Sequence, residues 1–129
     1  MITKPIPYGR QHITDEDIQC VIDALKSDYL TQGPKIKEFE EAFASYVGCK
    51  YAIAVNNATA GLHLAATALD VNLGDKVIVT PLTFAASANC IRFRGGEVVF
   101  CDVEEDTYLM DIKKLSRLLS QSPKAVSYT

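Results

Sequence analysis

Asn57, Ala58 and Thr59 are the residues of this 129-residue sequence whose types and spacing best suit anion chemistry. They sit in Val55-Asn56-Asn57-Ala58-Thr59-Ala60-Gly61, between a strand-like run and the start of an Ala-rich helix. The first turn of a helix leaves backbone N–H groups without partners, and the helix dipole favours negative charge there. Small side chains let a phosphate approach, Asn57 can cap the helix, and Thr59 can add a hydroxyl. The same residues would also serve a helix that is merely capped and closely packed. The stretch lacks the Gly-x-Gly-x-x-Gly and Gly-x-x-x-x-Gly-Lys patterns, so a monophosphate suits it better than a dinucleotide or a nucleoside triphosphate.

A second group of interest is Thr80-Pro81-Leu82-Thr83-Phe84, which follows a strand-like run at Lys76–Val79. In open α/β sheets the carboxyl ends of the strands border the ligand crevice. Phe84 there is either a core residue or a ring against which a flat heteroaromatic ligand stacks, worth about 1 kcal/mol beyond burial. Asp102 to Asp106 reads as a solvated acidic loop and is assigned no chemistry.

The elements that must hold these residues follow from periodicity. Thr14 to Asp17 is a capping-box variant before Ile18, Val21, Ile22 and Leu25, one face of a helix ending near Ser27. A loop spanning Asp28, Tyr29, Leu30, Thr31, Gln32, Gly33 and Pro34 leads to a second helix with Ile36, Phe39, Phe43, Tyr46 and Val47 on one face, closed by Gly48. From Tyr51 the pattern alternates: strand at 51–55, helix at 58–69, strand at 76–79, helix at 85–94, strand at 97–101, an Asp111-capped helix, and a strand at 124–128. Such alternation predicts an α/β fold with a mostly parallel sheet, helices on both faces and right-handed crossovers. A chain ending beside a strand is expected to be a truncated piece of a larger domain.

Composition narrows the function classes. A formal net charge of −3 with scattered Lys and Arg gives no electrostatic footprint for nucleic acid. No apolar run approaches membrane-spanning length and the first residues carry no secretory pattern, which predicts a cytoplasmic protein. Cys20, Cys49, Cys90 and Cys101 form no Cys-x-x-Cys pair and are expected to be reduced packing residues. His12 and His63 lack metal-site spacing, and no metal site is expected.

Leu30-Thr31-Gln32-Gly33-Pro34, Phe39-Glu40, Asn56 to Leu62, Gly74-Asp75-Lys76-Val77-Ile78, Pro81 to Phe84 and Lys124-Ala125 together resemble the sugar-nucleotide aminotransferase (DegT/DnrJ/EryC1/StrS) family. The likeness runs over essentially the whole chain. It implies the N-terminal part of the large domain of a fold-type I pyridoxal 5'-phosphate (PLP) enzyme. Residues 1–50 would form a helical segment with a substrate loop, and 51–129 the start of the cofactor-binding domain. The resemblance implies that Ala58 and Thr59 bind the cofactor phosphate and Phe84 stacks on the pyridine ring. Tyr8, Asp28, Tyr29, Leu30, Thr31 and Asn57 would border the sugar nucleotide. Pro7-Tyr8-Gly9-Arg10 and Ser27 to Thr31 are most similar to the transaminases of pseudaminic acid biosynthesis, which act on a UDP-4-keto-6-deoxy-N-acetylhexosamine. The family also implies a homodimer and glutamate as amino donor. Its covalent lysine and the aspartate that keeps the pyridine nitrogen protonated belong to motifs expected beyond residue 129, so this stretch by itself is expected to be inactive. PLP-dependent sugar dehydratases share the same N-terminal region, and a non-catalytic module for phosphate or nucleotide sugar is a third reading.

Overall fold

Residues 58–121 carry the alternation of helix and strand that the sequence predicts, and the backbone accounts for each boundary. The computed structural model describes Pro7, residues 9–121 and the backbone of Ala125–Ser127. Tyr8, Lys124 and Tyr128 lie outside the described residues. The chain divides into two compact units, Met1–Ala54 and Val55–Thr129.

The first unit holds helices α1 (Asp15–Lys26) and α2 (Pro34–Val47). A full capping box starts α1: Asp17 N donates to Thr14 Oγ1 at 3.2 Å, and Thr14 N donates to Asp17 Oδ2 at 2.8 Å. The Thr14 backbone and hydroxyl hydrogen bonds hold the Asp17 carboxyl below its ordinary value of 3.8. Gly33 precedes a proline in the first turn of α2, and Gly48 ends that helix in the left-handed region at φ 72°. The stripes of both helices are largely exposed within this structure, including Ile18, Val21, Leu25, Phe39 and Phe43, and Ala44 is the one buried residue of α2.

The second unit is a three-stranded parallel sheet of β1 (Lys76–Val79), β2 (Glu97–Phe100) and β3 (Ala125–Ser127), in the order β2-β1-β3. Helices α3 (Ala58–Ala68), α4 (Ala86–Phe93) and α5 (Ile112–Gln121) complete it. Strand alternation sorts the core into two layers. Val77 and Val79 pack with Ala66, Val71, Cys90 and Ile91 on the α3/α4 side. Ile78 packs with Cys101 and Met110 on the other side, where Leu115 and Leu118 of α5 join them. The predicted arrangement of helices on both faces is therefore the observed one. Turns between the layers are tied by side chains: Arg94 Nε donates to the Val71 carbonyl at 3.1 Å, and Asp111 Oδ1 accepts from Lys113 N and Lys114 N at the start of α5.

Two expectations need correction. Residues 51–55 form no ladder among the described residues, although burial alternates along them. A strand is defined by a partner, and here the Ala54 N–H goes instead to Glu40 Oε1 at 2.8 Å. The cysteines also divide: Cys90 and Cys101 are buried packing residues, while Cys20 and Cys49 are exposed. Burial pushes the Cys90 and Cys101 thiols above their usual range, which suits inert packing groups.

Candidate functional site

The first turn of α3 is built to leave donors open. Asn57 stands at the N-cap in an extended conformation, and its Oδ1 accepts the Ala60 N–H at 2.9 Å. Its carbonyl accepts the Gly61 N–H at 3.2 Å. The N–H groups of Ala58 and Thr59 therefore remain without an acceptor among the described residues, as does the Thr59 hydroxyl. No acidic side chain occupies that turn. Gly61 sits against Val55, where an added Cβ would lie 3.6 Å from its Cγ2, an ordinary contact. Two adjacent free amides, a hydroxyl and a helix dipole fit a phosphate monoester without a nearby cation.

Phe84 lies in the loop between β1 and α4 and is 77% exposed. Among the described residues nothing buries its ring, so within this structure a ring face is open. Beneath the same loop is a cleft of about 90 Å³, lined by Leu62 and Ala65 of α3, Val79 and Thr80 at the end of β1, and Thr83, Ser87 and Cys90. The end of β1 and the middle of α3 thus meet at one place, near the carboxyl edge of the parallel sheet.

Sequence reasoning missed the hydroxyl pair in that cleft, Thr83 Oγ1 and Ser87 Oγ at 3.1 Å. Its signal was the i,i+4 spacing of two hydroxyl residues around Phe84. Near the end of β2, Lys114 Nζ reaches Asp102 Oδ2 at 3.0 Å. This hydrogen bond holds the Asp102 carboxyl below its ordinary 3.8, and Asp102 serves as an ion-pair partner on an exposed surface.

Asp28, Tyr29, Leu30 and Thr31 belong to the first unit. Ser27 Oγ donates to the carbonyls of Ala24 at 2.7 Å and Tyr29 at 3.1 Å, pinning the start of the loop to the end of α1. Gln32 adopts a left-handed φ of 52° before Gly33 closes against Tyr29. All four side chains of residues 28–31 are exposed. Tyr8 lies outside the described residues. Asn57, Ala58 and Thr59 are contiguous, and Phe84 stands in the loop that follows β1, the strand that shares a cleft with their helix.

The family model described as the DegT/DnrJ/EryC1/StrS aminotransferase family matches residues 11–128. The chain belongs to that family. The spore coat polysaccharide biosynthesis protein SpsC of Bacillus subtilis is 44% identical over 121 residues, covering 94% of this chain and 31% of SpsC. The UDP-4-amino-4,6-dideoxy-N-acetyl-beta-L-altrosamine transaminase of Campylobacter jejuni is 44% identical over 118 residues, 91% of this chain and 31% of the enzyme. Among solved structures, Spr1654 of Streptococcus pneumoniae, assigned as a sugar aminotransferase, matches with a TM-score of 0.87 at 36% identity. It covers 93% of this chain and 30% of its own, and has been solved in PLP, pyridoxamine-phosphate (PMP) and cofactor-free forms. This member of the aminotransferase family thus spans about a third of the length of the relatives it matches. No helix among its described residues is long and apolar enough to cross a membrane.

Proposed function

We propose that this chain is the cofactor-cradling part of a PLP-dependent aminotransferase acting on a nucleotide sugar, a cytoplasmic homodimer when full length. The observation that carries this reading is the first turn of α3, with the Ala58 and Thr59 amides and the Thr59 hydroxyl open to an anion. Ala58 and Thr59 would hold the cofactor phosphate. Phe84, exposed in the loop after β1, would cover one face of its ring. When bound, the cofactor supplies an electron sink for moving an amino group between carbons. The residues of this chain bind and orient it, and Phe84 keeps water from one face of the ring.

Tyr8, Asp28, Tyr29, Leu30, Thr31 and Asn57 are proposed to border the sugar nucleotide. Asn57 can serve both roles, because its Oδ1 caps α3 while its Nδ2 has no protein acceptor among the described residues. The narrower substrate, a UDP-4-keto-6-deoxy-N-acetylhexosamine with glutamate as donor, is supported by the likeness of residues 7–10 and 27–31 to transaminases of pseudaminic acid biosynthesis. The identity to the Campylobacter jejuni enzyme supports it as well.

The test is made on the full-length protein. It should show the visible absorption of bound cofactor and aminate that sugar nucleotide at the expense of glutamate. Thr59→Leu should lower cofactor retention strongly and Phe84→Ala more mildly, since stacking contributes only about 1 kcal/mol. Retention unchanged by Thr59→Leu would remove the phosphate assignment.

A further inference from the structure

We propose that Ser87 is a positioning residue, which fixes the backbone from which the Phe84 ring projects and so keeps that ring placed to cover a flat ligand. The inference rests on the reading of Phe84 given above and deepens it. The backbone decides which rotamers an aromatic ring can adopt and where they project, and Phe84 has no ring or polar side-chain partner among the described residues. Its orientation is therefore decided by the chain on either side of it. Ser87 acts on both sides at once. Its N–H donates to the Phe84 carbonyl at 3.0 Å, while its Oγ pairs with Thr83 Oγ1 at 3.1 Å. The residue before Phe84 and the carbonyl after its ring are thus tied to the same serine.

The base of this clamp is rigid. The Ser87 carbonyl accepts the Cys90 thiol at 3.3 Å, and Cys90 and Ile91 are buried in one cluster with Val77 and Val79 of β1. Helix α4 has no side-chain N-cap, because Ala85 stands at that position. The hydroxyl pair, together with the Ser87 N–H bond to the Phe84 carbonyl, ties the first turn of α4 to the loop before it. If that turn opens, the Phe84 backbone is released with it. A serine that only stabilises the helix predicts a lower melting temperature and nothing more. A serine that positions the ring predicts a change seen by the cofactor.

The experiment is a mutant cycle on the full-length protein, reading the dissociation constant of PLP by absorbance titration and the position of the bound cofactor's visible band. Ser87→Ala should weaken PLP binding by about two- to tenfold, the range spanned by one neutral hydrogen bond, and move the band. Thr83→Val should do the same, while Ser87→Thr, which keeps the hydroxyl, should restore wild-type behaviour. In a Phe84→Ala background, Ser87→Ala should have no further effect on affinity, because the ring it positions is gone. An unchanged dissociation constant in Ser87→Ala, or an equal loss in the Phe84→Ala background, overturns the proposal. If Phe84→Ala itself leaves PLP affinity and the band untouched, the stacking role of Phe84 falls first and takes the clamp with it.

Discussion

Asn57 illustrates how one side chain can stabilise a helix and at the same time leave its neighbouring donors open. By accepting the Ala60 N–H it satisfies the third amide of α3 and leaves the first two, those of Ala58 and Thr59, facing outward. Replacing it with Ala should cost about 1 kcal/mol of stability, the usual worth of an N-cap, measured by denaturant titration. Cofactor retention should drop as well, because a frayed first turn no longer aligns its amides. Stability within a few tenths of a kcal/mol of wild type would show that the cap is dispensable. At this scale the sequence was informative where chemistry is local. The cap and small residues at 57–61 are visible in the residue types, since a helix start needs only its own neighbours. The 77% exposure of Phe84 within this structure was not visible, because exposure depends on which residues from other elements reach that loop.

At the scale of elements, the loop between α1 and α2 shows how a glycine sets the path of a connection through close contact alone. Gly33 has φ −81° and ψ 179°, a conformation open to any residue, so its need arises from contact. A Cβ built there would lie 2.7 Å from Tyr29 Cβ and 3.3 Å from the Tyr29 carbonyl oxygen. Gly33→Ala should therefore push Tyr29 outward and cost about 1 to 3 kcal/mol, the range for overpacking, as read by thermal or denaturant unfolding. Under the proposed function, the same substitution in the full-length protein should raise KM for the nucleotide sugar with little change in PLP affinity. A wild-type unfolding midpoint would mean that the loop yields freely at Tyr29. The turn itself is legible from Gln32-Gly33-Pro34, but the close approach to Tyr29 is not, because it depends on the angle at which Ser27 turns the chain out of α1.

For the whole molecule, periodicity located β1 and β2 because their neighbours lie within the chain, joined through short helical crossovers. The two faces of the sheet were legible for the same reason: Val77 and Val79 alternate with Ile78. The segment 51–55 has the same composition and alternation, yet sequence pattern alone could not tell that its ladder partner is missing among the described residues. Likewise, the stripes on α1 and α2 were readable as stripes, but what covers them is not encoded in their own spacing. The relatives, of which this chain spans about a third, are correspondingly longer.

That unpaired segment has a practical consequence for anyone handling the 129-residue polypeptide. Tyr51-Ala52-Ile53-Ala54-Val55 is rich in β-formers, uncharged and free of proline, with Tyr51 74% and Ile53 77% exposed. Those are the properties of a self-templating strand, able to add copy upon copy through backbone hydrogen bonds. Expressed in isolation, the polypeptide should form thioflavin-binding assemblies in a concentration-dependent way, and Ile53→Lys should suppress them by placing like charges in register. Equal assembly by the Lys variant would locate the sticky surface elsewhere. Colloidal behaviour would then be governed by five residues that contribute no functional group to the proposed site.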